Sequence, residues 1–263
     1  MGRHKCMRSF VEKCDDSRLM EFFERIDAFL EIPIESKLSD ENEQCAVCHI
    51  YKKKWEFLYG KNWKQTDSDI FHELTHISLC IEGWPIAKHI PYRADYTKYT
   101  IERMWNLAYH TKIWEREKRC GFSQKERVTD ELKEYVIPEY QDHNTVQKSY
   151  YGLEDQDYGW KLRYRVIYLA SVLLSPVQID HKNHLRTLLI NNLPQPVYQQ
   201  VDSICEVFVE HSQSFPQSLE IALGEVLKII KSPLERLEIV PDDELPEPDP
   251  DFFAVIQKAF VED

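Results

Sequence analysis

Residues 66–85, TDSDIFHELTHISLCIEGWP, carry the signals of one helix with a defined start and end. Thr66, followed three residues later by Asp69, is a variant of the capping box, which satisfies the first backbone N–H groups of a helix. Gly83 and Pro85 are stop signals. At about 100° per residue, the apolar side chains recur on one narrow stripe that must pack on a core. These side chains are Ile70, Leu74, Ile77, Ile81 and Trp84.

The same helix contains His72-Glu73-Leu74-Thr75-His76, an HExxH motif. Two histidines at i and i+4 lie on one helical face and can bind one Zn²⁺, and the glutamate between them can act as general base. By the same rotation His72 and His76 lie about 200–240° from the apolar stripe, which excludes core histidines. The motif therefore predicts a zinc site with Glu73 as base. The alternative is a pair of solvent-facing histidines.

The elements around this helix are predicted from apolar periodicity, caps and breakers. Residues 45–51 and 55–59 form a β-hairpin, and charged clusters such as residues 112–119 are solvated faces. The predicted helices cover residues 16–31, 98–119, 123–136, 160–174, 198–211, 217–231 and 252–261. Residues 240–251, VPDDELPEPDPD, form an extended acidic linker.

A helix, a β-hairpin and a helix carrying HExxH, followed by another helix, resemble the zincin metallopeptidases, and among them the small cytoplasmic ImmA/IrrE-like group. In that group the later helix carries a Glu four residues before an Asn, and Glu102 and Asn106 have this spacing. The resemblance covers about residues 16–122. It implies a zinc-dependent endopeptidase that cleaves a peptide or protein substrate. Related zincins carry an acid just before a later His, where this chain has Tyr109 before His110.

The third zinc ligand is expected on the helix over residues 98–119. A catalytic zinc site has three protein ligands and one open position for water. Glu102, Asn106 and His110 lie at i, i+4 and i+8, along one side of that helix. We favour Glu102 as the ligand, with His72 and His76, and keep His110 as the alternative. The candidates for a second donor to the oxyanion of the transition state are Tyr92, Tyr96, Tyr99, Tyr109 and His110, and the sequence does not choose among them.

Together these patterns predict an α+β, mainly helical protein with a zincin-like core, a small β-hairpin or sheet and a helical C-terminal part. The predicted segments are a metallopeptidase domain over residues 1–125, a helical region over residues 126–239 and an acidic, proline-rich tail over residues 240–263.

Composition limits the partners. The 263 residues carry a formal charge of −12, which opposes broad binding to nucleic acid or anionic lipid. The longest nearly apolar run, residues 166–174, is far shorter than a membrane span of about 20 residues. We expect a cytoplasmic protein with no nucleic-acid or membrane partner, whose acidic tail can dock on a protein. Two alternatives to the enzyme remain: a non-enzymatic interaction or regulatory protein with structural or vestigial zinc, and a helical adaptor in which the motif is accidental.

Overall fold

The structure of the protein is a computed structural model. The described residues are 5–30, 33–39, 46–51, 54–86, 95–122, 158–174, 195–231 and 247–261, with seven residues between 183 and 193. The side chains of residues 5–6, 39, 46–51, 54, 95–103, 158–165 and 261 are not among those described. The predicted helix over residues 123–136 and the first part of the predicted linker, residues 240–246, lie outside the described residues.

The chain begins with a short strand and two helices. Strand β1 is Lys5–Cys6, helix α1 is Arg8–Val11 and helix α2 is Arg18–Leu30. Helix α2 forms where the sequence predicts a helix over residues 16–31, because its apolar residues recur at helical spacing and bury one side. The buried side chains of α2 are Leu19, Phe22, Phe23, Ile26 and Leu30.

Four strands form one sheet in the order β1-β2-β4-β3. Their remaining bounds are Glu35–Ser39 for β2, Ala46–Tyr51 for β3 and Lys54–Gly60 for β4. Strands β3 and β4 pair antiparallel, with Tyr51 opposite Lys54, so the predicted hairpin is confirmed. Strand β2, which we did not predict, pairs parallel with β4 and places Ser36 opposite Phe57.

Two helices carry the predicted site. Helix α3 is Asp67–Ile81 and packs against α2 and β3. Helix α4 is Asp95–Arg119, and its start lies three residues before the predicted one. Gly121 follows α4 with φ of +82°, a left-handed conformation that glycine adopts readily at the end of a helix.

The last helix, α8, returns to the start of the chain. It is Phe252–Val261, as predicted, and packs against α2 and α3. The Phe253 ring lies 6.1 Å from the Phe22 ring of α2, and the Phe252 ring lies 5.5 Å from that of Phe29. The final helix is therefore part of the hydrophobic core.

Three further helices pack on one another. They are α5, Tyr158–Leu174; α6, Gln195–His211; and α7, Leu219–Ile229. Helix α6 packs against both of the others. The predicted apolar stripe of α5 is confirmed at its described positions, since Val166, Leu169, Val172 and Leu173 are buried.

The chain divides into two units. The first contains Met1–Pro85, Glu115–Ser123 and Val240–Asp263, and the second contains Ile86–Trp114 and Gln124–Ile239. The predicted division into residues 1–125, 126–239 and 240–263 stays a prediction. The described residues form a mainly helical α+β protein, as predicted. None of their helices is both long enough and apolar enough to cross a bilayer.

Candidate metal centre

The HExxH motif lies on α3, whose start is fixed by the predicted capping box. The Asp69 backbone N–H donates to Thr66 Oγ1 over 3.1 Å, and the Thr66 N–H donates to Asp69 Oδ2 over 3.2 Å. These two bonds satisfy backbone donors that no helical carbonyl can reach. The cap therefore sets the rotation of every later side chain on α3, including those of the motif.

The apolar stripe of α3 is buried, as predicted. Ile70, Leu74, Ile77 and Ile81 have no exposed surface, and Trp84 after the helix has 2%. The rings of His72 and His76 project from another side of α3, with their centroids 5.0 Å apart. That side is covered as well, because His72 and Glu73 are each only 6% exposed. The histidines are therefore neither in the apolar stripe nor an ordinary solvent-facing pair.

A buried carboxylate orients His72. Glu117, near the end of α4, is 1% exposed, and its Oε1 lies 2.8 Å from His72 Nδ1. An ionised carboxylate can only accept a hydrogen bond, so at this distance neutral His72 carries its proton on Nδ1 and donates it to Glu117. A metal bound by His72 is then bound through Nε2. Carboxylate–histidine pairs of this kind fix the ring and the tautomer of metal ligands.

Glu117 corrects one prediction, the solvated face over residues 112–119. Arg116 is 5% exposed and Glu117 is buried beside it. Burial of these charges is possible because each has a charged or hydrogen-bonding partner on α3. Charge composition alone could not identify those partners, since they lie far away in sequence.

Arg116 joins the end of α4 to the end of α3. Its guanidinium donates to both carboxylate oxygens of Glu82, over 2.7 and 2.5 Å, and to Ser78 Oγ over 3.0 Å. Removing one partner of such a buried pair typically costs about 3–5 kcal/mol. Nearby, burial raises the pKa of the Cys120 thiol to about 11, so this thiol is neutral at pH 7.

His110 completes a group of three imidazoles. His110 and Glu117 are seven positions apart on one continuous helix, which is about two turns, so both side chains lie on the same side of α4. One nitrogen from each of His72, His76 and His110 lies within 4.8 Å of the other two. Among the described residues this is the one group able to hold a metal ion. His72 is buried, and the other two histidines are half-buried.

The other predicted site residues, Glu102, Tyr109 and Asn106, all lie on α4. Glu102 lies in α4, but its side chain is outside the described residues, so its role as a ligand stays a prediction. Tyr109 is 7% exposed, and its ring lies 6.1 Å from that of Trp105. Tyr109 precedes His110 in sequence, so its side chain leaves the helix about 100° around the axis from that of His110. Asn106 is exposed.

Sequence reasoning missed Glu117, although one signal could have found it. Its spacing of two helical turns from His110 places it on the face of α4 where the third ligand is expected. A metal-bound histidine usually donates the N–H of its other ring nitrogen to a carboxylate. An acidic residue on that face is therefore a candidate partner for a histidine ligand.

Comparison of the chain with protein-family models, curated proteins and solved structures finds no match. The resemblance to zincins therefore stays a prediction from the motif and the elements around it.

Proposed function

We propose that the protein is a zinc-dependent metallopeptidase with a zincin-like core, in which His72, His76 and His110 bind Zn²⁺ and Glu73 is the general base. The observation that supports it is the meeting of three imidazole nitrogens within 4.8 Å. Two of these histidines are the HExxH pair, and the third comes from the following helix.

The donor set fits zinc. Nitrogen atoms bound about 2.0–2.1 Å from one tetrahedral zinc are about 3.4 Å apart. The three nitrogens are within 4.8 Å of one another, so small ring movements bring them onto a shared ion. Imidazole is a preferred ligand of zinc, and Glu117 supplies the outer carboxylate that such sites use. Three ligands from the described residues are the number typical of catalytic sites, which keep one position for water.

Helical geometry favours His110 over Glu102 as the third ligand. Eight residues of α-helix span about 12 Å, so a helix that holds His110 beside the pair keeps the backbone of residue 102 about two turns away. Glu102 then has a supporting role, as does Tyr109 beside His110. We assign the role of third zinc ligand to His110, and Tyr109 is the proposed hydrogen-bond donor to the oxyanion of the transition state.

The residues of the chain divide the work of hydrolysis. A zinc ion held by His72, His76 and His110 would supply a Lewis acid, which would lower the pKa of water toward about 7 and polarise the scissile carbonyl. Glu73 accepts a proton from the attacking water, whose oxygen forms the new bond to the carbonyl carbon. Glu73 then gives that proton to the amine nitrogen as the C–N bond breaks. Glu117 keeps His72 in one orientation throughout.

The proposed substrate is a peptide or protein, and the proposed compartment is the cytoplasm. Cys14 and Cys120 are thiols and not disulfides, which supports a reducing compartment. The docking of the acidic tail on a protein partner stays a prediction.

The test is metal content together with cleavage. We expect the purified chain to contain about one zinc per molecule and to cleave members of a quenched fluorescent peptide library. A chelator such as 1,10-phenanthroline should remove both zinc and activity, and added Zn²⁺ should restore both. Absence of zinc would contradict the proposal. Stoichiometric zinc without any cleavage would point to the interaction protein with structural zinc.

Substitution Glu117→Gln should weaken zinc binding by about 10-fold, the lower end of the effect of losing an outer partner of a metal ligand. Gln keeps the size of the side chain and an oxygen acceptor, but it removes the negative charge beside His72. The measurement is competition with a chromophoric chelator. The matched control is Glu115→Gln, two residues earlier on α4, where Glu115 is much more exposed. Equal zinc affinity in the two variants would contradict the role of Glu117.

A further inference from the structure

We propose that the C-terminal segment, residues 248–261, is a built-in clamp on the metal site, and that Arg116 is a positioning residue through which it acts. The clamp holds the end of α4 against α3 and so keeps Glu117 in contact with His72. This inference depends on the proposed zinc site, and it adds a role for a part of the chain that contributes no ligand among the described residues.

The clamp begins at the C-terminal end of α3. The Asp249 backbone N–H donates to the carbonyl oxygen of Ile81, the last residue of α3, over 2.7 Å. Pro248 packs over Gly83, which has φ of +87°; a Cβ built there would be 3.1 Å from Pro248 Cβ. The segment therefore satisfies a terminal carbonyl of the helix that carries His72, at a point where a larger residue than glycine has little room.

The clamp next contacts α4 through Phe253. The Arg116 guanidinium carbon lies 3.9 Å from the centroid of the Phe253 ring, and Phe253 is 4% exposed. The ring face attracts the cation and also shields it from water. Arg116 is thus held between Phe253 on one side and Glu82 with Ser78 on the other. Its backbone neighbour is Glu117, so a shift of Arg116 moves the carboxylate that orients His72.

The clamp also contacts α3 next to His72. The Phe260 ring lies 5.4 Å from the ring of Phe71, the residue before His72, and 5.6 Å from the ring of Phe122. Arg18 of α2 donates to the Phe260 carbonyl over 3.1 Å, which holds the end of α8 in place. The segment therefore contacts the residues adjacent to both members of the His72–Glu117 pair, namely Phe71 and Arg116.

Substitution Phe253→Leu is the direct test. Leu fills most of the space and removes the ring face that Arg116 lies against. The matched control is Phe252→Leu, because Phe252 is a buried neighbour on the same helix whose ring packs on Phe29 instead. We expect Phe253→Leu to weaken Zn²⁺ binding by about 10-fold in competition with a chromophoric chelator, while Phe252→Leu changes it by less than about 2-fold. The downfield NMR signal of the His72 Nδ1 proton should broaden or shift only in Phe253→Leu.

A double variant separates positioning from general loss of stability. If the clamp acts through Glu117, adding Phe253→Leu to Glu117→Gln should cause no further loss of zinc affinity. Additive losses would overturn the inference, because they would show that Phe253 affects zinc by another route. Arg116→Lys is the second variant; it keeps the charge but not the paired contact with Glu82, and should weaken zinc binding as Phe253→Leu does.

The outcomes separate the clamp from the proposed function. If the unaltered chain binds zinc and Phe253→Leu binds it equally well, the clamp is wrong and the zinc site stands. If the unaltered chain binds no zinc, both fail. If Phe253→Leu and Phe252→Leu weaken zinc binding equally, the effect comes from the stability of α8 and the specific role of Arg116 is overturned.

Discussion

Substitution Glu73→Gln should lower the rate of peptide hydrolysis by about 10³-fold and leave zinc bound. Gln has nearly the same size and keeps hydrogen-bonding atoms at a position that is only 6% exposed, so we expect the fold to persist. The Gln side chain cannot accept a proton from water, and general-base catalysis typically contributes about 10²–10⁴-fold to the rate. We therefore expect kcat to fall by about 10³-fold, measured on the best substrate of the peptide library.

Two comparisons make this result specific. Glu73→Asp keeps a carboxylate but withdraws it by one methylene, so it should retain more activity than Glu73→Gln. Glu24→Gln, on the exposed side of α2, should leave the rate unchanged. Zinc content should stay near that of the unaltered chain in all three variants. Loss of zinc together with activity in Glu73→Gln would contradict the role of general base and assign Glu73 to metal binding or folding.

The local signals of the sequence were sufficient for α3. The capping box of Thr66 and Asp69 and the apolar stripe depend only on residues within one helix. Both act over a few residues, so they determine the helix wherever it packs. These signals predicted that His72 and His76 lie on a side of α3 away from its apolar stripe. They did not predict that this side is also covered, because the covering residues lie on other elements.

The burial of Arg116 and Glu117 could not be predicted in the same way. In the sequence of residues 112–119, nothing distinguishes Arg116 and Glu117 from the charged residues on the solvent-exposed face of a helix. They are buried because Glu82 and His72 lie opposite them, 34 and 45 residues away in sequence. A buried charge is tolerated only with such partners, and pairing at that separation depends on tertiary structure.

Strand β2 shows the same limit at the level of the fold. Its sequence, ESKLS, has one apolar residue and no alternation of apolar and polar side chains. It becomes a strand because it pairs in parallel with β4, which supplies its hydrogen-bonding partners. The helix α8 is the opposite case, since its apolar period predicted a helix but not the phenylalanines it packs against.

Substitution His110→Ala should remove zinc, and Glu102→Gln should leave it bound. A direct ligand is worth more than an outer partner, so we expect His110→Ala to weaken zinc binding by more than about 100-fold. Asn106→Ala, an exposed position between the two on α4, is the control and should change nothing. Zinc affinity by chelator competition and the visible spectrum of the Co²⁺-substituted chain both report the change of ligand.

The two possible ligands differ in charge, which gives a second way to separate them. Three neutral imidazoles leave the full charge of a divalent ion at the site, whereas a carboxylate ligand offsets part of it. Zinc held by three neutral imidazoles would lower the pKa of water further than zinc held with a carboxylate ligand, so activity should persist to lower pH if His110 is the ligand. Retention of zinc in His110→Ala, with loss in Glu102→Gln, would overturn the assignment and make Glu102 the third ligand.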